Sequence, residues 1–340
     1  MGHDDSLPLP NLRVAVLVPC HNEERTIGKV VADFRARLPC ARIHVYDNNS
    51  TDATIEMARA AGALVRSETL QGKGNVVRRM FADIEADIYV LVDGDDTYDA
   101  GAVDAMVNLL WRDRLDMVTG TRNAAHGTAF RPGHRLGNRV ITGMVSRVFG
   151  SRVSDILSGY RIFSRRFVKS FPALASGFET ETEFTVHALE LRMPIGELAV
   201  AYRDRPAGSS SKLRTLRDGI RILQTILLLI KDERPLQFFS LVALVLAAAG
   251  LVLGMPLVFE FYRTGLVPRV PTAILATGFI LLSFLSLFSG LILGSVTRGR
   301  KEMKRLFYLG VRGIDAPIAR TRHQQPITAK TMTKGEAADG

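Results

Sequence analysis

The tripeptide Asp93-Gly94-Asp95 follows directly on the apolar run 88–92. Two carboxylates two residues apart on a turn can face one point, and a glycine between them allows close approach of another group. Hard divalent cations such as Mg²⁺ or Mn²⁺ take oxygen ligands of this kind and share them with substrate phosphates. Asp93 and Asp95 are therefore candidate metal ligands, and the chemistry they imply is neutralisation of charge on a departing diphosphate. An acidic turn that merely solvates a strand end is the alternative. Three other polar clusters stand nearby in the chain. In Pro19-Cys20-His21-Asn22-Glu23-Glu24, Asn22 and Glu23 can hydrogen-bond a base or ribose, or cap a helix. In Asp47-Asn48-Asn49-Ser50-Thr51-Asp52, Asp47 suits a ribose or base contact, whereas Ser50 and Asp52 read as caps. Gly72-Lys73-Gly74 offers a flexible turn carrying one cation.

The elements that must position these groups follow from the apolar runs. Val14-Ala15-Val16-Leu17-Val18 is short, continuous and closed by Pro19, as a strand buried on both faces requires. A helix is expected from about Glu23 through Val30, Val31 and Phe34, then a strand at Ile43-His44-Val45-Tyr46. A Ser50/Asp52-capped helix through Ile55, Met57 and Ala58 comes next. Ala63-Leu64-Val65 reads as a third short strand, a helix carries Val76, Val77, Met80 and Phe81, and 88–92 is the next strand. Alternation at this spacing implies βαβ units in an α/β domain with a mostly parallel, twisted sheet. Ligands of such sheets bind beyond the carboxyl ends of the strands, where the clusters at 19–24, 47–52 and 93–96 fall.

The remainder of the chain is different in kind. Of 340 residues, 47% are hydrophobic, yet the apolar content is concentrated in 236–297. Two stretches there, 236–262 and 271–297, each exceed the ~20 residues that cross a hydrocarbon core. Glu260 is the single charge within them. They predict a transmembrane hairpin. Its outer flanks are basic, with Lys231 and Arg234 before it and Arg298, Arg300, Lys301, Lys304 and Arg305 after it, so catalytic domain and tail are expected on the cytoplasmic side of the inner membrane. Arg263 and Arg269 in the connection weaken this bias without reversing it. Segments 136–149 and 213–230 combine arginines with apolar residues, a pattern that interfacial helices and ordinary core-facing helices share, and the place of the second just before the hairpin favours the interface. The net charge of +10 suits anionic lipid or phosphorylated substrates, and no basic-aromatic motif or zinc spacing supports nucleic acid. Cys20 and Cys40 have no metal-ligand spacing, which fits a reducing compartment without a disulfide framework. The expected organisation is a polar tail (1–12), a catalytic domain (13–212), an interfacial helix (213–235), the two spans, and a basic tail (298–340) whose end is disordered.

The ordered set Pro19-x-His21-Asn22-Glu23, Asp47-x-x-Ser50-x-Asp52, Gly72-Lys73-Gly74 and Asp93-Gly94-Asp95 resembles the family-2 inverting glycosyltransferases of GT-A fold. Gly120-Thr121-Arg122, Asp155-x-x-Ser158-Gly159-Tyr160-Arg161 and Arg205-x-x-Gly208-Ser209-Ser210-Ser211-Lys212 narrow the likeness to dolichyl-phosphate mannose synthase and the bacterial polyisoprenyl-phosphate glycosyltransferases. The resemblance implies that Pro19, His21, Glu23 and Asp47 line a nucleotide-sugar pocket, with Lys73, Asp93 and Gly94 beside them. It implies that Asp95 is the more direct metal ligand, and that Arg205 and Lys212 close over the diphosphate. Arg122, with Arg139 as an approximate second, would grip a lipid phosphate; Asp155 and Arg161 would be structural. A homo-oligomer, tetrameric in related proteins, is a further implication. Asn48-Asn49 departs from the Asp-Gly pair frequent in the family, which bears on donor identity.

The expected reaction moves a hexose from a UDP- or GDP-linked donor to a polyisoprenyl phosphate, with inversion, for envelope glycan assembly. An acceptor phosphate is already anionic at neutral pH and needs no strong base, so the protein's task is to hold two repelling anions in line. A saccharide hydroxyl acceptor is one alternative, although processive synthases carry QxxRW and the single tryptophan, Trp111, lacks that context. A nucleotidyltransferase would need a Gly-rich basic loop after the first strand, which is missing. A non-catalytic nucleotide-sugar-binding membrane adaptor is the last alternative.

Overall fold

The computed structural model describes residues 12–123, 153–175, 177, 179–203 and 234–313. Arg139, Arg205, Lys212, segment 136–149, most of the expected interfacial helix 213–235, and residues 1–11 and 314–340 of the expected tails lie outside the described residues. The first half of the chain alternates as its apolar runs require. It runs β1 (Val14–Cys20), α1 (Ile27–Arg37), β2 (Arg42–Asp47), α2 (Thr54–Ala60), β3 (Leu64–Ser67), α3 (Lys73–Asp83), β4 (Ile88–Leu91) and α4 (Val103–Arg112). Then come β5 (Met117–Asn123), β6 (Arg161–Ser164), α5 (Arg165–Ser170), α6 (Thr180–Leu191) and β7 (Ile195–Ala201). Two long helices follow, α7 (Pro235–Thr264) and α8 (Val270–Gly310).

Among the described residues the strands form one seven-stranded sheet in the order β3-β2-β1-β4-β6-β5-β7. Parallel pairing joins β1 to β2 and β4, β2 to β3, and β5 to β7, while β6 runs antiparallel between β4 and β5. Alternate residues of β1 serve opposite faces, as the two-residue repeat of a strand dictates. Val14, Val16 and Val18 pack with Ile27, Val30, Val31 and Phe34 of α1 and with Val103, Met106 and Leu110 of α4. Ala15 and Leu17 pack with Val76, Met80 and Phe81 of α3, Phe167 of α5 and Phe184 of α6. The chain leaves β1 toward β2 and β3 on one side and returns to β4 on the other. In open α/β sheets such a reversal is where a ligand crevice forms, here at the carboxyl ends of β1 and β4.

Of the two expected caps of α2, Asp52 meets the helix start, its Oδ1 accepting from the N–H of Thr54 at 3.1 Å, and Ser50 does not. Ala53 is its N-cap and makes no side-chain bond. Ser50 Oγ instead accepts from the Asn22 N–H (2.8 Å), and Asp52 Oδ2 from the Glu24 N–H (3.2 Å). In return Asn22 Oδ1 accepts from the Thr51 N–H and Glu24 Oε2 from the Ala53 N–H. The polar loops after β1 and β2 therefore satisfy each other's backbone donors, a stronger demand than a single helix end makes. Asn22 and Asn49 adopt left-handed backbone, φ 52° and 62°, which asparagine tolerates.

Helices α7 and α8 are long and apolar enough to cross a membrane, and they pack against each other along their length. Small residues let the backbones approach. A methyl on Gly250 would meet Ile280 at 2.9 Å, and one on Gly290 would meet Phe239 at 2.9 Å. Ser283 and Ser286 of α8 donate across the pair to the carbonyls of Ala243 and Phe239, at 2.8 and 3.1 Å. Both helices outrun the apolar stretches visible in the sequence; α8 continues thirteen residues past Thr297 to Gly310.

Candidate active-site crevice

Asp93 and Asp95 emerge where β4 meets the crevice. Gly94 lies on the end of β1, since a Cβ there would stand 2.6 Å from Cys20 Sγ. Its carbonyl accepts from Thr26 Oγ1 at 2.7 Å. Asp95 is buried, 3% exposed, and its Oδ1 takes the hydroxyl (2.6 Å) and the N–H (3.2 Å) of Thr97. Asp93 Oδ1 contacts Lys73 Nζ at 2.5 Å, and the same ammonium reaches Glu181 Oε1 at 2.6 Å. Gly159 is pressed against the Asp93 carboxylate so closely that a methyl there would collide with it.

Lys73 is thus a buried bridge between an acid of the β4 turn and one at the start of α6. Burial would pull its ammonium down, but the two carboxylates outweigh burial and hold it well above its ordinary value. Burial pushes Glu181 up, against the opposing pull of Lys73. Sequence reasoning missed Glu181. Its Oε2 is buried and has no hydrogen-bond partner, as do His21 Nδ1 and Asp47 Oδ1 at the ends of β1 and β2. Asp47 is otherwise anchored through Oδ2, which accepts from the Ser50 N–H at 3.2 Å. Glu23 is buried, and Pro19 sits within β1 beside Tyr46. Asn48, the departure from the family pattern, is a spacer. Its amide donates to the carbonyls of Glu68 and Leu70 and accepts from the Gly72 N–H. It thereby fixes the loop that carries Lys73.

The second wall comes from β5, β6 and β7. Arg122, near the end of β5, forks onto Asp155, with Nε to Oδ2 and Nη2 to Oδ1 both at 2.7 Å. Tyr202 lies under its guanidinium at 5.7 Å. Burial alone would raise the Asp155 carboxyl, but the Arg122 fork wins and holds it below the usual range. Arg161, fully buried, holds the same loop by its carbonyls, donating to Ser158 O (3.0 Å) and Ile156 O (2.6 Å). The two walls are stitched together at Ser158-Gly159. Ser158 Oγ donates to Gly120 O, two residues before Arg122, the Gly159 N–H donates to Tyr98 Oη at 2.9 Å, and Gly159 abuts Asp93.

Among the described residues no three His, Cys, Asp or Glu side chains converge to hold a metal unaided. Two carboxylates on one turn nevertheless fit a divalent cation that arrives with a diphosphate, because Mg²⁺-like ions keep water and phosphate oxygens as most of their ligands. The unpartnered His21 and Asp47 atoms mark β1 and β2 as places where a polar ligand would satisfy buried groups.

Residues 15–171 match the family described as Glycosyl transferase family 2. Glycosyltransferase AglJ of Haloferax volcanii is 32% identical over 306 residues, covering 88% of this chain and 99% of that protein. The Haloferax volcanii dolichyl-phosphate hexose transferase is 27% identical over 227 residues, 65% of this chain and 95% of that protein. Among solved structures, glucosyl-3-phosphoglycerate synthase from Mycobacterium tuberculosis in complex with Mn²⁺, uridine-diphosphate and glucosyl-3-phosphoglycerate superposes with a TM-score of 0.55 at 24% identity. That superposition covers 64% of this chain and 80% of the synthase, a likeness of fold.

Proposed function

The chain belongs to glycosyl transferase family 2 and has its GT-A fold, and from that premise we propose that it transfers a hexose from a UDP- or GDP-linked donor to a polyisoprenyl phosphate, with inversion, at a membrane surface. The observation that carries this reading is the pairing of two features in one chain. A crevice with an acidic turn on one wall and a clamped arginine on the other is followed by two helices long enough to cross a bilayer. The dolichyl-phosphate relative supports a lipid-phosphate acceptor, and the Mn²⁺ and uridine-diphosphate complex of the structural neighbour supports a divalent cation with a nucleotide donor.

The nucleotide is read as lying along β1 and β2, against Pro19, His21, Glu23 and Asp47. Asp93 and Asp95 are the residues that would hold Mg²⁺ or Mn²⁺, whose chemistry there is to neutralise charge on the leaving diphosphate. Lys73 keeps Asp93 in place, and Arg205 and Lys212 are assigned to the same diphosphate. Arg122, with Arg139, is assigned to the acceptor phosphate. Asp155 fixes the Arg122 guanidinium before any phosphate arrives, so little reorganisation is left for the transition state. The attacking phosphate needs no base, and one in-line displacement inverts the anomeric centre.

We assign α7 and α8 to a transmembrane hairpin with the crevice on the cytoplasmic side. Glu260 pairs with Arg269 at 3.1 Å, and the outer flanks carry more lysine and arginine than the connecting loop, which is the asymmetry that supports this orientation. The purified chain, given a panel of nucleotide-sugars, polyprenyl phosphate and Mg²⁺ or Mn²⁺, is expected to form a lipid-linked sugar with one donor. Product formed only on a soluble saccharide would sink the lipid acceptor and leave the hydroxyl-acceptor reading.

A further inference from the structure

Helix α8 holds more than a membrane crossing. Its 41 residues extend about 60 Å, roughly twice a ~30 Å hydrocarbon core. The apolar part ends near Thr297, and the cationic continuation does not fray into solvent but lands on the catalytic domain. Lys304 Nζ donates to Glu190 Oε2 at 2.7 Å, and that glutamate's side chain is only 2% exposed. Tyr308 Oη donates to Asp116 Oδ2 at 2.6 Å and accepts from Arg166 Nη1 at 3.2 Å. The Arg166 guanidinium also covers the Tyr308 ring at 4.8 Å, and its Nε reaches Val311 O at 3.3 Å. Asp116 is buried and is held from its other oxygen by Ser164 Oγ at 2.6 Å.

The landing point has a definite place in the fold. Asp116 precedes β5 and Ser164 ends the antiparallel β6, so both lie at the sheet end opposite the crevice. Glu190 ends the helix whose first turn carries Glu181, the partner of Lys73 and, through it, of Asp93. Continuous helix therefore connects the apolar span to the same frame that carries the acidic turn. Tyr308 follows Thr297 by about 16 Å of that helix.

We propose that residues 298–310 form a rigid strut that sets the height and tilt of the crevice over the bilayer, with Lys304 and Tyr308 as its positioning residues. The proposal rests on reading α7 and α8 as membrane spans and the acceptor as a lipid phosphate. A lipid's phosphate is confined to the headgroup plane, so in-line attack demands that the donor be carried to that plane by the protein. A misplacement of about 1 Å can cost on the order of a hundredfold in rate. Two buried acids held by one helix supply that rigidity. A helix that merely added packing would not need both.

The test compares two acceptors on the full-length chain. One is a long-chain polyprenyl phosphate in vesicles of phosphatidylethanolamine and phosphatidylglycerol; the other is a short-chain, water-soluble prenyl phosphate. The Lys304→Met/Tyr308→Phe double variant is expected to lose about tenfold in kcat/KM on the vesicle acceptor. The double variant should retain its kcat and KM on the soluble acceptor, and the conservative Lys304→Arg variant, with Tyr308 intact, should keep most of the vesicle activity. Equal losses on both acceptors would reduce the contact to ordinary structural packing and overturn the strut, as would no loss on vesicles. A wild-type chain that transfers to neither phosphate overturns the acceptor reading itself, and the two failures are told apart by the unsubstituted protein.

Discussion

At the scale of single residues, the chemistry turns on charges whose partners come from remote parts of the chain. Lys73 sits between Asp93 and Glu181 with its side chain 9% exposed. Removing the cation while keeping its bulk, as in Lys73→Met, leaves the buried Glu181 carboxylate facing the partly exposed carboxylate of Asp93. A loss of about 3–5 kcal/mol is expected, measured by urea unfolding of the purified chain; a loss below about 1 kcal/mol would mean that the acids are effectively solvated. Asp95→Asn makes the opposite demand. The asparagine Oδ1 can still accept from the N–H and hydroxyl of Thr97, so the melting temperature should hardly move. Transfer should fall by about 10²–10³, the order seen when one charge-stabilising group is lost. Unchanged turnover would mean that Asp95 stabilises no charge in the reaction. The acidic turn was legible because it follows an apolar run. Glu181 was not, since it lies among Glu179 and Glu183 in a segment with three like acids. Only the fold distinguishes Glu181, which meets Lys73, from Glu183, which instead accepts from the N–H groups of Leu174 and Ala175.

At the scale of elements, the first half of the sheet could be read in advance because each of its strands is a short apolar run between polar turns. The second half could not. Strand β6 has four residues and runs against its neighbours, and α6 is buried on nearly every face, so it presents no amphipathic stripe to recognise. That burial has a consequence for pH. His187 of α6 lies against the edges of Phe167 and Phe171, its Nε2 within 3.1 Å of Ser170 Oγ. Burial first, and the Lys304 charge second, lower its pKa to about 3. The unfolded chain binds this proton below about pH 6.5 while the folded chain does not, so the stability it represents is complete above that pH. It is lost as pH falls toward 3, at up to about 1.4 kcal/mol per pH unit. His44 on β2, lowered to about 4 by burial and by Arg42 and Arg66, adds a second contribution of the same sign. Urea unfolding between pH 7 and 5 should therefore show stability falling in the wild type and falling less steeply in His187→Gln. Parallel slopes would mean that the ring is protonated in the folded protein.

At the scale of the whole molecule, the proposed transmembrane reading of α7 and α8 requires both outer ends of the hairpin to lie on the crevice's side of the bilayer, since the end of α8 contacts the domain that carries the sheet. Hydropathy located both ends of α7 and the start of α8 within a few residues. It could not indicate that α8 would run on as one rod, because the charges after Thr297 read as a tail until Glu190 and Asp116 are seen to receive them. The chain carries its own probe of sidedness. It has two cysteines, of which Cys20 is buried and Cys40 is exposed in the turn between α1 and β2. A membrane-impermeant maleimide added to intact spheroplasts of a bacterial host should leave the wild-type chain unlabelled, then label it at Cys40 once the membrane is opened. Leu266→Cys, in the 69% exposed position of the hairpin loop, should label without permeabilisation. Cys40 reacting in intact spheroplasts would put the crevice on the outer face, where cytosolic nucleotide-sugars cannot reach it. Both thiols reacting only after opening would mean that α7 and α8 lie along one face of the membrane. On α8 the exposed Leu281, Leu282, Leu287 and Phe288 are spread around the helix at about 100° per residue, which makes that arrangement costly, since an interfacial helix buries only one face.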